Sequence, residues 1–146
     1  MTVNRAIGWE MDGMPRIVRG EGSYLYDASG ARYLDGSGGP AAFCLGHGNR
    51  EVNAAIAAQL GQVACGYRYL FTSEPLEQLM RLLLEKCGPQ FGHIVFSSSG
   101  SEAIESAMKV ALQYWSARGR SDKHRFIARE RSYHGSTLGA LSLSGF

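Results

Sequence analysis

The sequence is poor in cysteine and lysine, has no long apolar run and carries little net charge. Its three cysteines are odd in number and widely spaced, which argues against a disulfide framework or a zinc site. No apolar run approaches the length of a membrane-spanning helix. A net charge of +2 without a basic cluster argues against nucleic acid or a membrane surface as a partner.

The first residues of the sequence predict no secretory signal peptide. Residues 1–15 contain no apolar segment of the kind found in secretory signal peptides. Because the cysteines also suit reduced thiols, the sequence predicts a cytoplasmic protein. Its 45% hydrophobic and 19% charged residues are typical of a globular domain.

The first part of the sequence, residues 1–62, predicts a hairpin, a loop and a helix. Residues 20–35 alternate in the manner of two short strands joined by a turn. Residues 36–49 are rich in glycine and predict a loop. Apolar residues at helical spacing predict a helix over residues 50–62.

The second part, residues 63–146, alternates predicted helices and strands. Ser73 is expected to begin a helix that ends at Gly88 and carries a buried apolar stripe. The remaining elements are strands at 93–97 and 124–128 and helices at 100–118 and 136–143. Strands separated by helices favour an α/β fold with a mixed, mostly parallel sheet and helices on both faces. Two such strands are too few for an independent core, so a larger protein is expected.

Residues 96–109, FSSSGSEAIESAMK, are the most informative stretch. Small residues separate a short apolar run from a helix-forming segment. The unpaired amides and the dipole of a helix start can hold a phosphate at Gly100 and Ser101, and the Ser101 hydroxyl can add a hydrogen bond. A serine cap with Glu102 and Glu105 in the first turn explains the same residues without any ligand.

A second motif, SYHGSTLGALSLSG, follows the second predicted strand at residues 132–145. The carboxyl ends of neighbouring parallel strands lie together, so this motif is expected near the first one. Tyr133 can lay its ring against a flat aromatic cofactor. His134 can bond to the edge of that cofactor or brace the loop. An ordinary strand-to-helix turn with a packed tyrosine explains the motif equally well.

Together the two motifs, S-G-S-E-A-x-E-x-A-x-K and S-Y-H-G-x-T-L-G-A-L-S-L, resemble those of the class III aminotransferases. These are pyridoxal 5'-phosphate (PLP) enzymes of fold type I. Upstream residues agree with the family's G-x-G-x-x-L-x-D-x-x-G-x-x-Y-L-D and L-G-H patterns. They are Gly20, Gly22, Leu25, Asp27, Gly30, Tyr33, Leu34, Asp35, Leu45, Gly46 and His47. The resemblance covers nearly the whole chain, but only the first third of a family member.

The resemblance implies cofactor-binding roles for three residues. Gly100 and Ser101 match the pair that binds the PLP phosphate, and Tyr133 matches the aromatic residue stacked on the pyridine ring. The loop at residues 36–48 matches one near the dimer interface that contributes to the substrate pocket. Residues 63–146 would then be the start of the PLP-binding large domain, cut short.

No residue of this chain matches a catalytic residue of the family. There the Schiff-base lysine and the acid that pairs with the pyridinium nitrogen lie further along the chain. The only lysines here are Lys86, Lys109 and Lys123. Lys109 lies eight residues beyond Ser101 on one predicted helix, about 12 Å along its axis. The chain is therefore expected to be an N-terminal fragment that is inactive alone.

The resemblance implies an aminotransferase that moves an amino group between an amine or amino acid and a keto acid or aldehyde, as a homodimer when full-length. Alternatives are an aminomutase or decarboxylase of the same family, or a non-catalytic fragment that associates with a full-length relative. His47 and His93 lack partners at metal spacing, so no metal site is predicted. Tyr67, Tyr69 and Phe71 either line a substrate pocket or pack in a core or dimer contact.

Overall fold

The computed structural model describes residues 13–41 and 43–145. The chain divides into two units, Met1–Phe71 and Thr72–Phe146. Residues 1–12, which belong to the stretch where the sequence predicts no signal peptide, lie outside the described residues. Within the described part of the chain, no helix has both the length and the apolar character needed to cross a membrane.

A three-stranded antiparallel sheet in the order β1-β2-β3 organises the first unit. Its strands are β1 (Ile17–Glu21), β2 (Tyr24–Asp27) and β3 (Arg32–Leu34). The predicted hairpin is formed by β2 and β3, with Leu25 opposite Tyr33. Strand β1 was not predicted, because arginine, glycine and glutamate interrupt its apolar pattern and a register shift breaks the alternation of its pairing.

Asp27 closes the hairpin turn with both carboxylate oxygens. Oδ1 accepts hydrogen bonds from the Ser29 hydroxyl at 2.6 Å and from the amides of Ser29 and Ala31 at 2.9 Å. Oδ2 accepts a hydrogen bond from the Tyr33 hydroxyl at 2.8 Å. The Ser29 hydroxyl, followed by the Tyr33 hydroxyl, lowers the pKa of Asp27 from 3.8 to about 2. The folded state therefore has the lower pKa, so the carboxylate stabilises the hairpin above about pH 4 and this contribution is lost as the pH falls towards 2.

Removing the Tyr33 hydroxyl is expected to move the pKa of Asp27 back towards 3.8. The Tyr33→Phe variant keeps the ring but loses the hydrogen bond from the hydroxyl to Asp27. Because that bond stabilises the ionised form of the carboxyl group, its loss should raise the pKa. NMR titration of the Asp27 carboxyl carbon in the natural full-length protein measures this pKa. Tyr24→Phe is the control. It removes a tyrosine hydroxyl from β2 that does not bond to Asp27, so it should leave the titration unchanged. An Asp27 that already titrates at 3.8 in the wild-type protein contradicts the prediction.

The Gly-rich loop returns to the sheet through His47. Gly22 and His47 exchange two backbone hydrogen bonds, at 2.9 and 2.7 Å, and Nε2 of His47 lies 2.8 Å from Oδ2 of Asp35. The loop predicted over residues 36–49 contains one short helix, α1 (Gly38–Ala41). The loop is thus attached to the sheet at its far end rather than extending freely from it.

Helix α2 (Arg50–Gln62) has the predicted bounds. Asn49 caps it, and the Asn49 side chain accepts a hydrogen bond from the Val52 amide at 3.1 Å. Such a cap satisfies one of the amides that a helix start leaves unpaired, which explains why the helix begins here.

The second unit consists of three helices and the segments that join them. They are α3 (Glu74–Cys87), α4 (Gly100–Ala117) and α5 (Leu138–Leu143). Ser73 and Gly88 flank α3 as predicted. Within this unit, α4 and α5 pack together, and α3 packs on neither.

Two expectations about the core are wrong for the described residues. Residues 93–97 and 124–128, predicted to be parallel strands, form no strand, and Ile127 is fully exposed. A strand requires ladder hydrogen bonds with a neighbour, which a local apolar run cannot supply. The predicted stripe of α3 is also not buried, and its Leu79 is 44% exposed. Ala140, in α5, is the one buried hydrophobic side chain among the described residues.

Candidate functional site

Helix α4 begins with a reciprocal cap. The Ser99 hydroxyl accepts a hydrogen bond from the Glu102 amide at 3.2 Å, and the Glu102 carboxylate accepts one from the Ser98 amide at 2.8 Å. The serine that caps the helix is Ser99. The Ser101 hydroxyl is therefore not used to begin the helix.

Gly100 and Ser101 present hydrogen-bond donors at this helix start. Their amides donate to no acceptor within residues 13–41 and 43–145. Ser101 Oγ accepts a hydrogen bond from the Ser136 amide at 2.9 Å, which leaves the hydroxyl proton available for another acceptor. A Cβ placed on Gly100 would meet nothing within 4 Å. Two amides, a hydroxyl and the positive end of an 18-residue helix thus suit an anionic group.

The turn that carries Tyr133 is packed against this helix start. Gly135 is buried, and a Cβ there would lie 2.7 Å from Ser101 Oγ and 2.9 Å from Ser101 Cα. The Tyr133 hydroxyl lies 2.9 Å from Ser136 Oγ, and the residue is 64% exposed. The structure therefore brings the two sequence motifs together, with a large part of the tyrosine accessible.

His134 braces this turn through its backbone. Its amide donates to the Ser144 hydroxyl at 3.0 Å, and that hydroxyl donates to the Ala140 carbonyl at 3.2 Å. The ring atom Nε2 is buried and has no hydrogen-bond partner among the described residues. Of the two roles considered for His134, the backbone contacts fit a loop brace.

Glu105 has a contact that the sequence did not predict. Its Oε1 accepts hydrogen bonds from the amides of Gly139 at 2.7 Å and Ala140 at 3.2 Å, so this carboxylate caps α5 rather than its own helix. The nearby Thr137 hydroxyl, followed by these amides, lowers the pKa of Glu105 below its ordinary value. The ionised Glu105 carboxylate is therefore stabilised by donors at the start of α5.

The other residues considered from the sequence have the following surroundings. The described residues contain no group of three or more His, Cys, Asp or Glu side chains that would hold a metal ion. Tyr67, Tyr69 and Phe71 are 62%, 72% and 65% exposed, and the two tyrosine rings lie 5.4 Å apart. Lys123 lies 3.5 Å from the centroid of the Trp115 ring, near the opposite end of α4.

Comparison with known proteins finds one family that matches nearly the whole chain, including the residues of both motifs. The family model described as aminotransferase class-III matches residues 10–146. The uncharacterized aminotransferase YodT of Bacillus subtilis is 50% identical over 132 residues, which are 90% of this chain and 30% of YodT. The chain thus spans about a third of the length of the curated relatives it matches.

Solved structures agree with the sequence comparison. The PMP-bound form of an aminotransferase from Vibrio fluvialis superposes with a TM-score of 0.87 at 27% identity, over 92% of this chain and 30% of that one. An (S)-enantioselective omega-transaminase from Thermomicrobium roseum gives a TM-score of 0.82 at 37% identity, with the same two coverages. These likenesses confirm the predicted α/β transaminase fold and its incompleteness here. The chain belongs to the class III aminotransferases.

Proposed function

We propose that this chain is the N-terminal part of a PLP-dependent aminotransferase. The full-length protein would move an amino group between an amine or amino acid and a keto acid or aldehyde. Residues 1–62 form the N-terminal segment in this proposal, and residues 63–146 begin the PLP-binding domain. The observation that carries the proposal is the set of unpaired donors at Gly100 and Ser101, packed beside the turn that holds Tyr133.

These residues fit the phosphate of PLP. A phosphate offers several acceptor oxygens, and the amides of Gly100 and Ser101 with the Ser101 hydroxyl offer three donors without an acceptor among the described residues. Gly100 has open space where a side chain would stand, so a ligand can approach its backbone closely. The dipole of α4 adds a favourable field for the negative charge.

Tyr133 would hold and orient the ring of the cofactor. An exposed aromatic face next to the phosphate site can stack on a flat pyridine ring, and the hydrogen bond to Ser136 limits the rotation of the tyrosine. When bound, PLP supplies an electron sink that this chain's side chains lack. Gly100, Ser101 and Tyr133 therefore bind and orient, and we assign no catalytic residue to this chain.

The proposal predicts a loss of PLP affinity when these contacts are removed. In the natural full-length protein, Ser101→Ala deletes a hydrogen bond to a charged group and should raise the Kd for PLP by roughly tenfold to a hundredfold. Tyr133→Ala should raise it by about tenfold, whereas Tyr133→Phe keeps a stacking ring and should have a smaller effect. Absorbance titration with PLP measures the Kd.

Tyr114→Ala is the control for the tyrosine variants, because Tyr114 is an exposed aromatic residue near the other end of α4. It should leave the Kd unchanged.

A ¹⁵N-labelled amino donor with an unlabelled keto acid then tests the reaction. If ¹⁵N appears in the amino acid formed from the keto acid, the amino group has moved from one molecule to another. An aminomutase or a decarboxylase would not give this result. A wild-type protein that binds no PLP contradicts the proposal.

We further propose that the full-length protein is a cytoplasmic homodimer. The loop at residues 36–48, matched to a loop near the dimer interface, has two exposed apolar side chains, Phe43 at 48% and Leu45 at 67%. A partner subunit would remove these from water. The exposed thiols of Cys65 and Cys87 suit a reducing compartment. Light scattering on the full-length protein determines its mass in solution.

A further inference from the structure

We propose that Glu105 is the positioning residue that holds the Tyr133 turn against the start of α4, in the orientation that PLP binding requires. This inference rests on the proposed function and extends it to a residue without a role in binding PLP directly. It is carried by the hydrogen bonds of the Glu105 carboxylate, by the close approach of Gly139 and by the placement of Ser101 on the same helix face.

The carboxylate contacts are short and lie in a partly buried setting. Oε1 of Glu105 lies 2.7 Å from the Gly139 amide and 3.2 Å from the Ala140 amide. Glu105 and Gly139 are half-buried, and Ala140 is fully buried. Hydrogen bonds from amides to an ionised carboxylate are stronger than neutral ones. Both donors belong to the first turn of α5, so one side chain holds the start of that helix.

Gly139 gives the carboxylate room to reach these amides. A Cβ at this position would lie 2.5 to 2.8 Å from the carboxylate carbon and oxygens of Glu105. Any other residue would force the two helices apart or turn the Glu105 side chain away. The glycine and the glutamate, 34 residues apart in sequence, therefore form one close contact.

A second contact holds the same segment one helical turn earlier on α4. Ser101 Oγ accepts the Ser136 amide at 2.9 Å, and the Ser136 hydroxyl lies 2.9 Å from the hydroxyl of Tyr133. Ser101 and Glu105 are four residues apart, so they share one face of the helix. The segment from Tyr133 to Ala140 is thus attached to that face at two points. Losing the contact at Glu105 leaves the segment hydrogen-bonded to this face of α4 through Ser101, so the direction of the Tyr133 ring is less well fixed.

Variants of Glu105 in the natural full-length protein test this inference. Glu105→Ala removes the acceptor and should raise the Kd for PLP by about tenfold, an effect on affinity without the loss of any PLP contact. Glu105→Gln keeps an acceptor oxygen without the charge, and Glu105→Asp keeps the charge on a shorter side chain. Both should raise the Kd less than alanine does. The visible circular dichroism of bound PLP, which reports how the ring is held, should weaken in the same order.

A double-variant cycle separates positioning from general stability. If Glu105 acts through Tyr133, the Tyr133→Ala substitution should change the Kd by less than about twofold once Glu105 is alanine. Glu85→Ala is the matched control, since Glu85 is an exposed helical glutamate whose side chain makes no hydrogen bond or ion pair among the described residues. It should leave the Kd and the dichroism unchanged.

Each of the following outcomes overturns the inference. A wild-type Kd in Glu105→Ala excludes positioning while leaving the proposed function intact. Fully additive effects of Glu105→Ala and Tyr133→Ala show that the two residues act independently. A wild-type protein without PLP affinity removes the proposed function and this inference together. A lower melting temperature of Glu105→Ala with an unchanged Kd for PLP identifies a purely structural role.

Discussion

Replacing Gly135 by alanine is expected to destabilise the protein and to damage the proposed cofactor site. The new Cβ would lie 2.7 Å from the Cβ of Ala140 and from Ser101 Oγ, and 2.9 Å from Ser101 Cα. Gly135 also has a φ of 142°, which L side chains rarely adopt. Overpacking and backbone strain together should lower the free energy of unfolding by about 2–5 kcal/mol. The Kd for PLP should rise at least about tenfold, because Ser101 must move.

Gly119→Ala is the control for this substitution. Gly119 lies in the same unit and also has a positive φ, 71°, but a Cβ there would meet nothing within 4 Å. It should therefore show the cost of backbone strain alone, about 1–2 kcal/mol, and leave the Kd unchanged. Chemical denaturation and PLP titration of the full-length protein measure both quantities. If the two variants lose the same stability and keep the same Kd, the close packing of Gly135 on Ser101 has no consequence.

Gly20→Ala is expected to detach the Gly-rich loop from the sheet of the first unit. A Cβ on Gly20 would lie 2.5 Å from the Cβ and 2.6 Å from the Cγ of His47. His47 cannot yield easily, since it is held by backbone bonds to Gly22 and by its contact with Asp35. Adding a methyl group against such a neighbour typically costs about 1–3 kcal/mol of unfolding free energy. Chemical denaturation of the full-length protein measures this loss.

Two comparisons identify the contact responsible. Gly36→Ala adds the same methyl group in the same unit, with nothing within 4 Å, and should be neutral or slightly stabilising. In a His47→Gly background the opposing side chain is absent, so Gly20→Ala should then cost little. An equal loss of stability in both backgrounds shows that the contact with His47 is not the cause.

The elements that the sequence predicted well are those with local signals at their ends. The starts of α2 and α4 follow from the side chains of Asn49 and Ser99, each of which accepts a hydrogen bond from an amide three residues later. The hairpin follows from Asp27, whose carboxylate binds the turn that begins with it. Each of these interactions spans a few residues, so the sequence contains both partners side by side.

The predictions that failed depended on distant partners. Residues 93–97 and 124–128 have strand-like composition, but a strand exists only where another strand pairs with it, and among the described residues none does. The apolar stripe of α3 likewise has no element of its own unit packed over it. Apolar patterning indicates which face can be buried, whereas burial itself depends on what covers that face.

In the candidate site, too, some features follow from local sequence and others from contacts between distant segments. Local sequence was sufficient to place Gly100 and Ser101 at a helix start, because a serine cap and a short run of small residues mark where a helix begins. The predicted α/β topology brought the two motifs near each other, but only the tertiary structure placed the Tyr133 turn on that helix through specific contacts. The hydrogen bonds that hold it, from Ser136 to Ser101 and from Gly139 to Glu105, join residues about 35 positions apart, and nothing in the local chemistry of either segment identifies the other.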